Sequence, residues 1–204
     1  FDIENPGNPI NLINRELSRL EFQRRVLEEA KDENKPLLER VRFLSILGSN
    51  MEEFFMVRVG GLHLQNVQGV RALSPEGLEP AEQLAHIRPA ATAIMRDARQ
   101  YFADVIMPLL EEEGIHLQHY YLLTEKQKDA VEAYFDEVVF PVLTPLALDP
   151  GHPFPHISNL SMNLAVLLED NEGLQRFARI KVPNSIGHLV PIKRSSGGVK
   201  KDGT

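Results

Sequence analysis

The 204-residue sequence predicts an α plus α+β fold, in which an amino-terminal helical bundle is followed by a partial α+β domain with a short antiparallel meander. Three observations carry this. Up to residue 113 the apolar residues recur at three- and four-residue steps, the period of a helix with one buried face. Near Gly114 that period gives out, and from Leu160 the alternation is every second residue, the period of a strand. A composition of 43% hydrophobic and 25% charged residues belongs to a chain with a core to bury, which excludes wholesale disorder. The expected division is 1–113 for the helical domain and 114–204 for the partial second domain with a polar carboxyl-terminal tail.

Taken in order, Asn14 to Ala30 forms an amphipathic helix, with Leu17, Leu20, Phe22, Val26, Leu27 and Ala30 apolar and Arg15, Glu16, Arg24, Arg25, Glu28 and Glu29 filling most other positions. Lys31 to Lys35 breaks it, and Pro36 opens a second helix, because its fixed φ and missing N–H are tolerated in a first turn. The residues Leu37, Leu38, Val41, Phe43, Leu44, Ile46 and Leu47 lie nearly all round that helix and predict central burial. Gly48-Ser49-Asn50 reads as an interruption. A third helix is expected from Met51 to Leu62, with Ser49 and Glu52, or Asn50 and Glu53, at capping-box spacing.

Gln68 to Leu78 reads as a loop. A long helix follows from about Pro80 to Glu113, with Pro89 and Pro108 as kink points and Gly114 as its stop. Beyond it, Ile115 to Leu122 predicts a short strand, and Thr124 to Gln127 caps a helix carrying Ala130, Val131, Tyr134, Phe135 and Val138. Five prolines between Pro141 and Pro155 predict an irregular connection. Leu160 to Leu168, Phe177 to Val182 and His188 to Ile192 are the expected strands, with Asn171-Glu172-Gly173 as a turn. The end from Lys193 is polar and glycine-rich, a loop or tail.

Charge and composition narrow the function. With 22 basic and 29 acidic residues the net charge is −7, which disfavours coating nucleic acid or an anionic membrane. The absence of cysteine excludes a disulfide scaffold, a thiolate metal site and a cysteine nucleophile, and suits a reducing compartment such as the cytoplasm. The longest apolar stretch, Val138 to Leu148, covers about half of a ~20-residue bilayer span, so no transmembrane helix is expected. The amino end has neither initiator Met nor basic n-region and reads as an ordered or trimmed start.

The common catalytic signatures are missing: there is no G-x-x-x-x-G-K loop, no G-x-S-x-G elbow and no H-E-x-x-H helix. His152 and His156 have metal-ligand spacing, but Pro153 and Pro155 forbid the helix that would align them. His116 and His119 are three apart in an expected strand and face opposite ways. No catalytic or metal-ligating residue is assigned. The Glu111-Glu112-Glu113 run reads as a solvated helix end. The Arg179 and Lys181 pair shares a strand face that could meet a phosphate chain, although a solvated face is the more frequent meaning of such a pair. Asn50 is the polar residue of interest, because its carboxamide offers the donors and acceptor that reading a nucleobase edge needs. Its other reading is a plain helix cap, the commoner use of such a residue.

Several ordered blocks then resemble the amino-terminal domain of bacterial polyphosphate kinase. They are Ile13-Asn14-Arg15-Glu16-Leu17-Ser18, Arg25 to Ala30, Pro36 to Leu44, and Ser49-Asn50-Met51-Glu52-Glu53-Phe54-Phe55-Met56-Val57-Arg58-Val59. Leu143 to Ala147, His152-Pro153-Phe154-Pro155 and Asn159 to Leu164 are similar to the opening of that family's head domain, and the likeness runs from Ile13 to about Ile192. The chain departs from the family pattern at Arg19, where Trp is usual, and at Gln23, where Asn is usual. The resemblance implies an enzyme that moves the terminal phosphate of ATP reversibly onto inorganic polyphosphate through a phosphorylated histidine, using Mg²⁺. It places that histidine and the metal in further carboxyl-terminal domains, implies a homodimer or larger assembly, and aligns Asn50 with the family's ATP-contacting asparagine. The fragment alone is then expected to be inactive. The alternative is a non-catalytic helical interaction or oligomerisation module.

Overall fold

The computed structural model describes residues 2–5, 7–148, 156–169, 173 and 175–192. His152, the two prolines beside it, Asn171, Glu172 and the tail from Lys193 lie outside them. The chain divides into two units, Phe1–Leu117 and Gln118–Thr204.

In the first unit, α1 (Arg15–Lys31) starts where Asn14 Oδ1 accepts the backbone N–H groups of Glu16 and Leu17 at 3.0 and 2.9 Å. Asn14 Nδ2 donates to Glu76 and, at 3.2 Å, to Gln83 Oε1, so one side chain both caps α1 and ties it to the segment ahead of α4. Burial raises the Glu76 carboxyl, but hydrogen bonds from Ser74 and Asn14 outweigh it and hold the group below its ordinary value. Asn14→Asp retains a good cap oxygen yet sets a second carboxylate against Glu76. Urea unfolding is expected to show a loss of about 1–3 kcal/mol at pH 7 that shrinks below about pH 4 as the carboxyls protonate. Equal losses at both pH values would trace the effect to the cap.

Helix α2 (Leu37–Glu53) follows a turn closed by Lys35, whose ammonium donates to Asp32 at 2.7 Å and lies 2.9 Å from Glu29. That bond, with those from Asn34, holds the Asp32 carboxyl down to about 2. Contrary to expectation, α2 does not stop at Gly48-Ser49-Asn50. It runs through them into a wide turn, Phe54–Val59, and on into α3 (Gly60–Val67). A glycine inside a helix costs only about 1 kcal/mol against alanine, and burying Leu47, Met51 and Phe54 on either side of it outweighs that. Asn50 is therefore a mid-helix residue and caps nothing. The helix is also less buried than expected: Leu38 and Ile46 are exposed, because α2 packs on α1 along one stripe.

Helix α4 (Pro80–Tyr101) begins with Glu79 N–H on Glu82 Oε2 at 2.8 Å and continues through a second wide turn, Phe102–Ile106, into α5 (Met107–Glu112). Gly114, at φ +79°, ends it as expected. Pro89 and Pro108 do not break the run. Ahead of Pro108 the turn widens so that Met107 N–H reaches Phe102 O, five residues back. The same device precedes Pro141, where Phe140 N–H reaches Phe135 O. A widened turn shifts the carbonyl that the proline ring would strike. The core of this unit joins Leu20, Leu27 and Ala30 of α1 to Leu47 and Met51 of α2, Phe54, Leu62, and Ile87, Ala91 and Ile94 of α4.

Ile115 to Leu122, which runs from the end of the first unit into the second, is not a strand, ending instead in one short helical turn, Tyr120–Leu122. Helix α6 (Glu125–Tyr134) is capped as the sequence predicts, Thr124 N–H donating to Gln127 Oε1 at 3.0 Å. The sheet is antiparallel and three-stranded: β1 (Thr144–Leu148), β2 (Asn163–Glu169) and β3 (Gln175–Lys181), with β3 in the middle. Thr144 to Leu148 falls inside the proline-rich stretch that predicts no regular structure. It is an edge strand, where Pro145 is admitted because one side of the strand needs no ladder partner. His188 to Ile192, expected as a strand, is irregular. Among the described residues, no helix is long and apolar enough to cross a membrane.

Candidate functional site

Helix α1 carries two stripes. Glu16, Leu20, Gln23, Leu27 and Ala30, at steps of four and three, are buried. Arg15, Ser18, Arg19, Phe22 and Arg25 share another face and line an open groove of about 440 Å³. Its opposite wall is Glu53, Phe54 and Arg58, from the end of α2 and the wide turn after it. Phe54 faces the core, whereas Arg58 points back toward α1, its Nε 4.0 Å from Glu16 Oε2. Arg15 lies 2.9 Å from the other oxygen of Glu16, so one buried carboxylate holds two guanidinium groups. The guanidinium groups of Arg19 and Arg25 lie 5.9 and 5.7 Å from the Phe22 ring centroid, within cation–π range.

Asn50 sits one turn before Glu53 and Phe54. It is half-buried, and its Nδ2 donates to Gln23 Oε1 at 3.0 Å. Among the described residues that is the one hydrogen bond of the Asn50 amide, leaving its carbonyl oxygen and second N–H available. Gln23 is fully buried, and among the described residues its Nε2 has no partner. A primary amide left partly unsatisfied beside a second amide makes a local pair able to exchange donor and acceptor roles.

The buried polar residues Glu16 and Gln23 escape a reading of single residues. Glu16 reads as surface and proves to be buried. The signal that finds both is their place on the four-three stripe that Leu20, Leu27 and Ala30 mark as core. Arg179, read as part of a solvated face with Lys181, is a further correction: it is buried, donating from Nε to Asn163 Oδ1 at 2.8 Å and from its guanidinium to His156 O at 3.3 Å. Lys181 stays exposed. Among the described residues no three His, Asp or Glu side chains converge as a cation site.

Comparison with known proteins finds one family along both parts of the chain. A family model described as the polyphosphate kinase N-terminal domain matches residues 12–118, and one described as the polyphosphate kinase middle domain matches residues 126–202. The polyphosphate kinase of Thermosynechococcus vestitus is 48% identical over 186 residues, 91% of this chain and 25% of that protein. That of Mycobacterium marinum is 47% identical over 192 residues, 94% of this chain and 26% of the relative. The crystal structure of polyphosphate kinase from Porphyromonas gingivalis superposes with a TM-score of 0.70 at 30% identity, over 90% of this chain and 27% of that one. The chain thus spans about a quarter of the length of the curated relatives it matches. With nearly every residue from Leu12 onward accounted for by two consecutive domains of one family, the chain belongs to the polyphosphate kinase family.

Proposed function

We propose that this chain is the nucleotide-contacting amino-terminal part of a kinase that transfers the terminal phosphate of ATP reversibly to inorganic polyphosphate. The observation that carries the proposal is Asn50, a mid-helix amide with an unused acceptor and donor side by side. That pairing is complementary to the adenine edge, which offers an amino donor next to a ring-nitrogen acceptor. As Asn50 caps no helix, its carboxamide has no local backbone role that would explain it. The phosphohistidine, Mg²⁺ and self-association that the family resemblance implies belong to the same proposal, as does a cytoplasmic setting. Exposed Leu38, Ile46, Leu64 and Val67 supply apolar surface for packing against further protein.

Asn50→Asp in the complete enzyme is the discriminating variant. Gln23 can turn its unpaired Nε2 toward the new carboxylate, so urea unfolding is expected to stay within about 1 kcal/mol of the parent. The carboxylate can neither donate to the ring nitrogen nor sit comfortably beside a triphosphate. The KM for ATP is therefore expected to rise about tenfold or more. Unchanged KM in both Asn50→Asp and Asn50→Ala would reject the nucleotide contact and leave the interaction-module reading.

A further inference from the structure

We propose that the groove along α1 is a binding track for a condensed phosphate polymer, separate from the nucleobase contact at Asn50. The inference rests on the reading that the enzyme acts on polyphosphate, and it assigns this chain a direct part in holding that substrate. The chain as a whole carries a net charge of −7, so most of its surface repels a polyanion and any contact must be local. The groove is such a place. It gathers four guanidinium groups and two carboxylates. Glu16 is engaged by Arg15 and Arg58, while Arg19 and Arg25 have no carboxylate within 4.0 Å among the described residues.

Geometry favours a chain over a single phosphate. Arg15, Arg19 and Arg25 follow one another along the groove side of α1, and ten residues of helix span about 15 Å. That is longer than the phosphate tail of a nucleoside triphosphate. Phe22 lies between Arg19 and Arg25 in sequence, three residues from each, and its ring holds both guanidinium groups at cation–π distance. Among the described residues neither guanidinium is engaged by a hydrogen bond or an ion pair besides this ring contact. A planar guanidinium can then give paired hydrogen bonds to phosphate oxygens, and Ser18 adds a hydroxyl on the same face. Glu53 is the groove's remaining carboxylate and confines the track to the α1 side.

The test is calorimetric binding of long-chain inorganic polyphosphate to the 204-residue chain without nucleotide, with inorganic tripolyphosphate and ATP as shorter probes. The double variant Arg19→Ala/Arg25→Ala is expected to lose about tenfold or more of the affinity for the long polymer. The control Arg24→Ala/Arg42→Ala removes the same charge from exposed arginines paired with Glu21 and Glu39, and is expected to lose less than about threefold. Equal losses in the two double variants, or no binding of the polymer by the parent chain, would overturn the track. Tripolyphosphate bound as tightly as the polymer would overturn it too, in favour of a triphosphate-tail site. Asn50→Ala is expected to leave polymer affinity unchanged while weakening ATP, so the nucleobase contact and the track fail independently.

Discussion

Phe54→Ala is expected to destabilise the first unit by about 3–5 kcal/mol, the usual loss for emptying a buried aromatic position. Phe54 is 2% exposed and belongs to the cluster that joins α1, α2 and α4. Its ring meets Phe55 edge-on with centroids 5.9 Å apart, which adds a directional contact to the burial. It also opens the wide turn from which Arg58 reaches Glu16, and it forms part of the groove wall. A cavity there loosens the fold and the groove together. Phe54→Leu, which keeps most of the volume, is expected to lose less than half as much. Urea unfolding of the chain checks both, and a loss under about 1 kcal/mol for the alanine variant would mean that the turn is held by something other than this ring.

Arg40→Ala is expected to cost about 2–3 kcal/mol by the same measurement. Arg40 is buried on α2, where its Nε donates to Ala30 O at 3.3 Å and to Tyr101 Oη at 3.1 Å. Tyr101 in turn donates to Ala30 O at 3.1 Å. One carbonyl in the last turn of α1 thus collects two donors from two other helices, and the cation sits where the helix dipole is negative. Removing Arg40 leaves Tyr101 and that carbonyl short of a partner in a buried place. Tyr101→Phe should lose about 1–2 kcal/mol, and the double variant less than the sum, because the two side chains act on one acceptor. Arg40→Lys is not expected to restore the parent stability, since an ammonium lacks the planar fork that addresses both oxygens. Additive losses would show that the two bonds are independent.

The periodicity of α1, the loop from Gln68 and the long helix ending at Gly114 are legible because each rests on local rules: one apolar stripe, one cluster of turn residues, one left-handed glycine. The misread places share a different cause. Gly48-Ser49-Asn50 has the residue types of a break, yet Leu47, Met51 and Phe54 bury enough apolar surface to carry the helix through it. Thr144 to Leu148 contains a proline, yet lies at a sheet edge that tolerates one. Leu38 and Ile46 look like core and are exposed. In each case the deciding neighbour is distant in sequence.

The candidate site divides in the same way. Asn50 can be named from residue type and position, since donors and acceptors are properties of a single side chain, whereas the arginines of α1 read in the sequence only as the polar side of a helix. That Asn50 is no cap, that Gln23 holds its amide, and that Glu16 gathers Arg15 and Arg58 are decided by the packing of α1 against α2 and the turn that follows it. The sequence alone determined the helical character of the first unit, its acidic balance and the chemical groups available, because these follow from local composition and period. Only the tertiary structure decided which polar groups are buried and which are paired, because burial and pairing depend on what a distant part of the chain brings alongside.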